Sequence, residues 1–283
     1  MSSHLSISDE CAGYPPDPRA TREDGVHASA EALLLDTFTV ESQRLVAVEA
    51  LARHAAAMAR AAHELRNPLA PIRTVAALLG NPARLHDLPR LGVILERQVL
   101  HLSRLIDDLM DVARMTSGKL HLDRRRFDLH EVLEHVVDVC QPAMQARHQH
   151  LVVTLPARPL TVDGDVVRLA QVFANLLDNA AKYTPEGGRI ALSCTAGACP
   201  TGAGAGAVTI TVADNGIGIT PEALPRIFDP FMQDPLAVDF GKQGLGIGLT
   251  LVRELVRAHG GTVTAAGAGA GLGSEFVVVL PLA

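Results

Sequence analysis

Two apolar seams of heptad spacing, separated by a Gly-Asn-Pro break, constrain this chain more than any other feature of its sequence. In the first, Leu51, Ala55, Met58, Ala62, Leu65, Leu69, Ile72, Ala76 and Leu79 recur in steps alternating between four and three. That repeat keeps one face of a helix apolar. Gly80, Asn81 and Pro82 interrupt it, and Pro89 stands near the next start. In the second seam, Leu91, Leu95, Gln98, Leu102, Leu105, Leu109 and Val112 follow the same alternation until Thr116, Ser117 and Gly118. The pattern predicts two helices joined by a short turn, an antiparallel hairpin. One hairpin encloses too little interior to stand alone. The expectation is a homodimer in which two hairpins form a four-helix bundle. The alternative is a hairpin packed on a second domain of its own chain.

The 283 residues leave room for that second domain, since domains run to roughly 100–200 residues. With 48% hydrophobic and 20% charged residues the chain can bury a core. Residues 1–44 are polar at the start and carry Pro15, Pro16 and Pro18, which predicts a flexible arm and linker. Residues 45–118 then form the hairpin domain and 119–283 the second domain. Lys plus Arg number 25 against 31 Asp plus Glu, a net charge of −6, which argues against a nucleic-acid partner. Aromatics at 3% with no Trp offer no base-stacking platform.

Cys11, Cys140, Cys194 and Cys199 form neither a CxxC nor a metal-ligand spacing. Cys194 and Cys199 could pair, but small buried thiols in a reducing cytosol is the plainer reading. No apolar stretch reaches the ~18 residues of a membrane helix, and the N-terminus lacks the apolar core of a signal peptide. A soluble cytoplasmic protein without a membrane span is expected.

From residue 119 the texture changes. Short apolar runs at 151–155, 189–194, 208–214, 261–266 and 275–282 alternate with helical patterns at 129–147, 165–183 and 247–259. This order predicts a mixed sheet with helices on one face. The fold class is therefore α+β, an antiparallel helical hairpin followed by an α/β sandwich. The tract at 197–207, rich in Gly and Ala, reads as a hairpin loop.

Four groups of residues carry chemistry. His63-Glu64-Leu65-Arg66-Asn67-Pro68 lies on the first seamed helix, with His63 at the seam's margin and Asn67 one turn on. Pro68 and Pro71 cannot donate backbone hydrogen bonds to the Glu64 and Asn67 carbonyls, which weakens the helix just beyond the histidine. Asn175, Asn179 and Lys182 share a face of the helix at 165–183 and suit a metal–phosphate site, although a solvated polar face would look the same. Asp214-Asn215-Gly216-Ile217-Gly218 sets a carboxylate at a strand end beside a tight turn; a turn alone would explain it. Gly241-Lys242-Gln243-Gly244-Leu245-Gly246-Ile247-Gly248 opens a helix, where glycines and the helix N-terminus favour an anion. No P-loop and no strand-borne GxGxxG is present.

Taken in order, with Ile227-Phe228-Asp229-Pro230-Phe231 between the last two, this series resembles the sensor histidine kinases of two-component systems. It matches their H, N, G1, F and G2 boxes over roughly residues 45–283. The resemblance implies a dimerisation and histidine-phosphotransfer hairpin, followed by a catalytic domain of the gyrase and Hsp90 type that binds ATP with Mg²⁺. It implies His63 as the phosphate acceptor, Glu64 as its proton acceptor and Asn67 as the residue that orients a hydrolytic water. Asn179 would ligate Mg²⁺, with Asn175 beside it. Lys182 would meet phosphate, Lys242 would belong to the nucleotide-binding set, and Tyr183 would sit by the adenine. Asp214 would read the adenine amino group. Gly216 and Gly218 would line the base pocket, while Gly244, Gly246 and Gly248 would pass the phosphates. Residues 229–244 would be a mobile lid with Phe228 and Phe231 as its hinge packing. The implied partner is a response-regulator receiver domain, which would receive the phosphoryl group on an aspartate. Two other classes compete: a non-catalytic dimeric scaffold switched by ATP, and an ATPase clamp of the same superfold.

Overall fold

The structure is a computed structural model that describes residues 61–79, 87–116, 120–198, 206–240 and 244–283, with Arg44, Val48, Met58 and Ala59 as isolated positions. The expected arm, Leu51 and Ala55 of the first seam, the break at 80–82, Ser117, Gly118, Cys11, Cys199 and Lys242 lie outside the described residues. The unit that runs to Ala283 contains both hairpin helices and the whole sheet.

Helix α1 covers 61–79 and continues through both prolines, and α2 spans Leu88–Thr116. The α2 seam is as the heptads predict: Leu91 and Leu105 are buried, and Leu95, Gln98, Leu102, Leu109 and Val112 are half-buried. The α1 stripe is shifted. Ala61, Pro68 and Val75 are the buried residues, with Leu65 and Ile72 half-buried between them, whereas Ala62, Leu69, Ala76 and Leu79 are exposed. In an alanine-rich helix two adjacent stripes are almost equally apolar. The ring of Pro68 supplies the apolar surface that favours the one observed.

After α2 come strand β1 (Arg125–Asp128), helix α3 (Leu129–Gln145), strands β2 (His150–Thr154) and β3 (Thr161–Gly164), and helix α4 (Val166–Tyr183). Strands β4 (Arg189–Ala198) and β5 (Gly206–Asp214) follow, then α5 (Pro235–Asp239), α6 (Gly248–Ala258), β6 (Thr262–Gly267) and β7 (Ser274–Pro281). Five strands form one sheet in the order β2-β4-β5-β7-β6, with β2 parallel to β4 and the other pairs antiparallel. The expected mixed sheet is therefore present. Strands β1 and β3, not expected from the sequence, pair separately. Four residues each, half exposed, they are too short for a period-2 signal. The expected loop at 197–207 is shorter, because the β4–β5 ladder runs to Ala198 opposite Gly206.

Alternation along three strands places Ile190 and Leu192, then Val208, Ile210 and Val212, then Val278 and Leu280 on one buried face. Helices α3, α4 and α6 close over that face in a single apolar core. Helix α4 contributes Leu169, Val172, Phe173, Leu176, Leu177, Ala180 and Ala181, the 3-1-3-1 spacing of one helical face. Each large side chain buried there is worth about 1.5–3 kcal/mol. The opposite face of α4 is left for polar residues. Its C-terminal carbonyls are not orphaned, since Arg147 donates to Ala181 and Thr184, and Gln149 Nε2 donates to Thr184 at 2.8 Å.

The N-terminus of α4 is fixed by a buried histidine. Asp165 caps the helix, accepting from Val167 and Arg168 backbone N–H at 3.0 and 3.1 Å. Its own N–H donates to His259 Nε2 at 2.9 Å, while His259 Nδ1–H donates to Leu255 O at 2.7 Å. Those two contacts specify the neutral Nδ1–H tautomer. Gly164 packs so close to the ring that an added Cβ would stand 2.6 Å from Cδ2. This is what the Asp-Gly-Asp lead-in does.

Burial holds His259 below its ordinary pKa. The unfolded chain therefore takes up this proton first. The stability His259 contributes is complete above about pH 6.5 and is lost as pH falls toward the folded-state value. His259→Gln should cost about 1–3 kcal/mol at neutral pH, and should flatten the fall in denaturant midpoint between pH 7 and 5.5. Chemical denaturation at four pH values checks this; parallel curves for the two proteins would contradict it.

Candidate functional site

The polar face of α4 opens onto a cavity of about 360 Å³. Asn175, Asn179 and Lys182 line it one to two turns apart, as their spacing predicts, and Tyr183 joins them at the end of the helix. From the sheet comes Asp214 at the end of β5, followed by Gly218. From the opposite side come Gly244, Gly246 and Gly248, the last opening α6. Nine of the residues singled out in the sequence thus meet in one cavity. Gly216 sits just behind the wall, donating its N–H to Asp214 Oδ1 at 2.8 Å.

Asp214 is held from two sides, because Ser274 Oγ–H donates to Oδ2. Burial raises its pKa, and these hydrogen bonds oppose the rise. A carboxylate has about four acceptor sites, so capacity remains for a donor in the cavity. Ser274 was not singled out in the sequence. It stands opposite Asp214 in the β5–β7 register, a juxtaposition that only strand pairing reveals. Asn175 Nδ2 is buried without a hydrogen-bond partner, which fits a site awaiting an acceptor. Lys182 Nζ lies 5.0 Å from the Tyr183 ring centroid. It also fills the space a Cβ on Gly244 would need.

The segment 229–240 roofs the cavity and is tied down at three points. Phe231, at a φ of 62°, donates its N–H to Gly246 O at 2.9 Å. Gln233 Nε2 donates to Gly244 O. Asp234, buried, accepts from Thr220 N–H at 2.8 Å and from Leu236 N–H at 2.9 Å. At Gly246, with φ of 67°, a side chain would collide with the Met232 carbonyl, so the close approach of loop and roof requires glycine. Phe228 packs edge-on against Phe276 at 6.4 Å, and Phe231 packs in a separate apolar cluster. The two phenylalanines therefore serve different contacts rather than one hinge.

His63, Glu64 and Asn67 lie on α1 and do not line the cavity. His63 and Asn67 are exposed, with the amide nitrogen of Asn67 3.5 Å from His63 Nδ1. The ring's contact is with Asn67 rather than Glu64, because residues four apart share a helical face and adjacent ones diverge. The second hairpin helix does reach the cavity. His101, Arg104, Leu105 and Asp108 of α2 form one wall. The sequence marked Leu105 only as a seam residue, and His101, Arg104 and Asp108 not at all, since they read as the seam's margin. Burial, with the charges of Asp111 and Asp107, raises Asp108 to about 6.

Residues 53–118 match the His Kinase A (phospho-acceptor) domain family, and residues 164–283 match the histidine kinase-, DNA gyrase B- and HSP90-like ATPase family. The adaptive-response sensory kinase SasA of Thermosynechococcus vestitus is 34% identical over 229 residues, covering 78% of this chain and 58% of that protein. The histidine kinase AdeS of Acinetobacter baumannii superposes with a TM-score of 0.54 at 25% identity, over 78% of this chain and 98% of that one. Full-length ShkA in complex with AMPPNP superposes at 0.59 with 28% identity, over 78% of this chain and 44% of that one. The chain spans about half the length, or less, of the curated relatives it matches.

The roof's tether generates a direct expectation. Asp234→Ala leaves the Thr220 and Leu236 N–H groups without their acceptor, a local cost of about 1–3 kcal/mol. Hydrogen exchange should quicken in peptides spanning 220–240, while circular dichroism stays that of the folded protein. Unchanged exchange there would show that the carboxylate does not hold the roof.

Proposed function

The chain belongs to the sensor histidine kinases of two-component systems, and on that premise we propose that it autophosphorylates on His63 at the expense of ATP and passes the phosphoryl group to an aspartate of a response-regulator receiver domain. The observation that carries the reading is the convergence of Asn175, Asn179, Lys182, Asp214 and the glycine loop on one cavity, in a chain whose hairpin carries His63. We take 45–118 as the phosphotransfer hairpin and 119–283 as the ATP-binding domain. Leu69, Leu79, Val93, Val99, Leu100, Ile106 and Met110 are exposed along α1 and α2. This supports a homodimer in which a second hairpin covers them. No helix among the described residues is long and apolar enough to cross a membrane. We place the reaction in the cytoplasm, where ATP and receiver domains are found.

In this reading Asp214 accepts from the adenine amino group. A base with an acceptor at that position would leave both groups unpaired, so the contact discriminates. Tyr183 flanks the base, and Gly216 shapes the pocket by bracing Asp214. Lys182 and the backbone of Gly244, Gly246 and Gly248 face the phosphates, aided by the α6 N-terminus. Lys242 belongs to the same loop. Asn179, with Asn175 beside it, would hold Mg²⁺, which supplies charge neutralisation at the triphosphate when bound.

Phosphorylation forms a bond from a His63 ring nitrogen to the γ-phosphorus and breaks the bond to the β-phosphate bridging oxygen, releasing ADP. Glu64 takes the proton the ring gives up. The receiver aspartate then attacks the same phosphorus and returns the histidine. Asn67, already at the ring, can hold a water by donating and accepting but cannot act as a base at neutral pH. Its part is to place water for hydrolysis of the phosphorylated regulator.

His63→Gln should abolish acid-labile phosphate on the protein while calorimetry still detects Mg-ATP binding; normal labelling would sink the assignment. Asp214→Asn should weaken nucleotide binding by about 1–3 kcal/mol, read by the same titration, and an unchanged Kd would contradict the adenine contact. Asn67→Ala should lose phosphatase activity toward a phosphorylated regulator and keep most of its kinase rate. Joint loss of both activities would make Asn67 structural.

A further inference from the structure

Strands β1 and β3 form a two-stranded ribbon separate from the main sheet, and a pair of strands that short is marginal by itself. The ribbon is also a joint in the chain, since β1 follows α2 and β3 runs directly into α4. Side-chain hydrogen bonds hold its two ends, and a histidine stands at each.

At one end, His130 Nδ1 lies 3.0 Å from Asp128 Oδ1, and Nε2 lies 2.7 Å from the Pro156 carbonyl oxygen. The same Asp128 oxygen accepts from the His130 backbone N–H at 3.1 Å and from the Leu160 N–H at 3.0 Å. Asp128 ends β1, while Pro156 and Leu160 belong to the connection that enters β3. Both ring nitrogens therefore face acceptors. Only the imidazolium has two N–H groups to donate; a neutral ring would turn a lone pair on one of the two oxygens. Burial works against charge on this ring. The hydrogen bonds to Asp128 and the Pro156 carbonyl, with the charges of Asp128 and of Glu134 on α3, outweigh it and raise the pKa.

At the other end, His259 accepts from the Asp165 N–H and must be neutral to do so. Burial is the main cause of its lowered pKa. The charge of Arg124, just before β1, adds to the fall, while the Leu255 carbonyl and the charges of Asp165 and of Asp163 on β3 oppose it.

The two ends respond to pH in opposite senses. The contribution of His130 is complete below the ordinary histidine value of about 6.5 and is lost as pH rises through its raised folded-state value. That of His259 is complete above about 6.5 and is lost as pH falls through its lowered one. The contributions cross near that value, and a different end of the ribbon loosens on each side of it.

We propose that the β1–β3 ribbon is a pH-sensitive joint between the hairpin and α4, held at one end by charged His130 and at the other by neutral His259, and that a proton lost from the first or gained by the second releases it. Asp123 N–H donates to Asp165 Oδ2 at 3.0 Å, so release reaches the segment leaving the hairpin and the first turn of α4 together. The inference does not depend on the kinase reading.

Amide exchange of the full chain, followed residue by residue by NMR and corrected for the intrinsic pH dependence of exchange, reads both ends. The Leu160 N–H reports on Asp128 and His130, and the Asp165 N–H on His259. Leu160 protection should fall about tenfold as pH rises from about 6.5 to about 8.5, and Asp165 protection about tenfold as pH falls from about 6.5 to about 5. His130→Gln, whose amide does not titrate, should flatten the first change and leave the second. The ring signals of the parent give a reading that needs no variant: His130 should titrate above about 6.5 and His259 below it. Flat Leu160 protection across the upper range, or a change that survives in His130→Gln, overturns the joint. A His130 ring that titrates at or below the ordinary value overturns the charged end of it.

Discussion

Everything in the nucleotide half of this protein depends on helix α4 being buried on one face only. Seven apolar side chains between Leu169 and Ala181 lock it into the core, and a helix so fixed cannot rotate. Its remaining face then displays Arg168, Gln171, Asn175, Asp178, Asn179 and Lys182 in a continuous polar stripe. A rotation of one residue, about 100°, would drive Asn175 and Asn179 into the sheet and leave Leu176 in water. The hydrophobic effect, which has no direction of its own, is what aims the polar side chains.

The stripe does two jobs at its two ends. Its C-terminal half faces the cavity, while its N-terminal half grips α2 through Asp111. Both ends are anchored to the backbone as well as to the core. Arg147 and Gln149 satisfy the last carbonyls, and Asp165 with His259 satisfies the first N–H groups. Asp165 Oδ2 also accepts from Asp123 N–H at 3.0 Å, which ties the segment leaving the hairpin to the same helix start. The connection between the two parts of the chain is thus made at the helix that carries the chemistry.

Much of this was legible in the sequence. The apolar runs of β4, β5 and β7 and the 3-1 spacing on α4 are local patterns, and they predicted elements within a few residues of those observed. The α2 seam read correctly because leucine is much more apolar than its neighbours. The α1 seam did not, because alanine at most positions makes neighbouring stripes nearly equivalent and a proline ring decided between them. The cavity residues contributed by α4, Asp214 and the glycine loop were legible because each occupies a short motif. Ser274, Asp234 and the α2 wall were not. Their roles come from a strand register, a loop tether and a helix–helix docking, each a contact between residues far apart in sequence, about which local periodicity says nothing.

The glycine loop shows why the two halves of the molecule cannot be treated as independent. Along Gly244-Leu245-Gly246-Ile247-Gly248, the small residues face the cavity and roof. The large ones, Leu245 and Ile247, are buried at 5% and 1% exposure in the cluster that holds Ala61 and Leu105 of the hairpin. One short backbone therefore lines the cavity and also carries the apolar side chains that meet the hairpin. The two sets share one short stretch of backbone, so neither can move far without the other. A displacement of the Gly244 and Gly246 backbone would carry Leu245 and Ile247 with it, out of their contact with the hairpin. Separating that cluster re-exposes apolar surface at about 25 cal/mol per Å². Docking and ligand contact thus draw on the same few residues, and the alternation of glycine with leucine and isoleucine is the sequence feature that couples them.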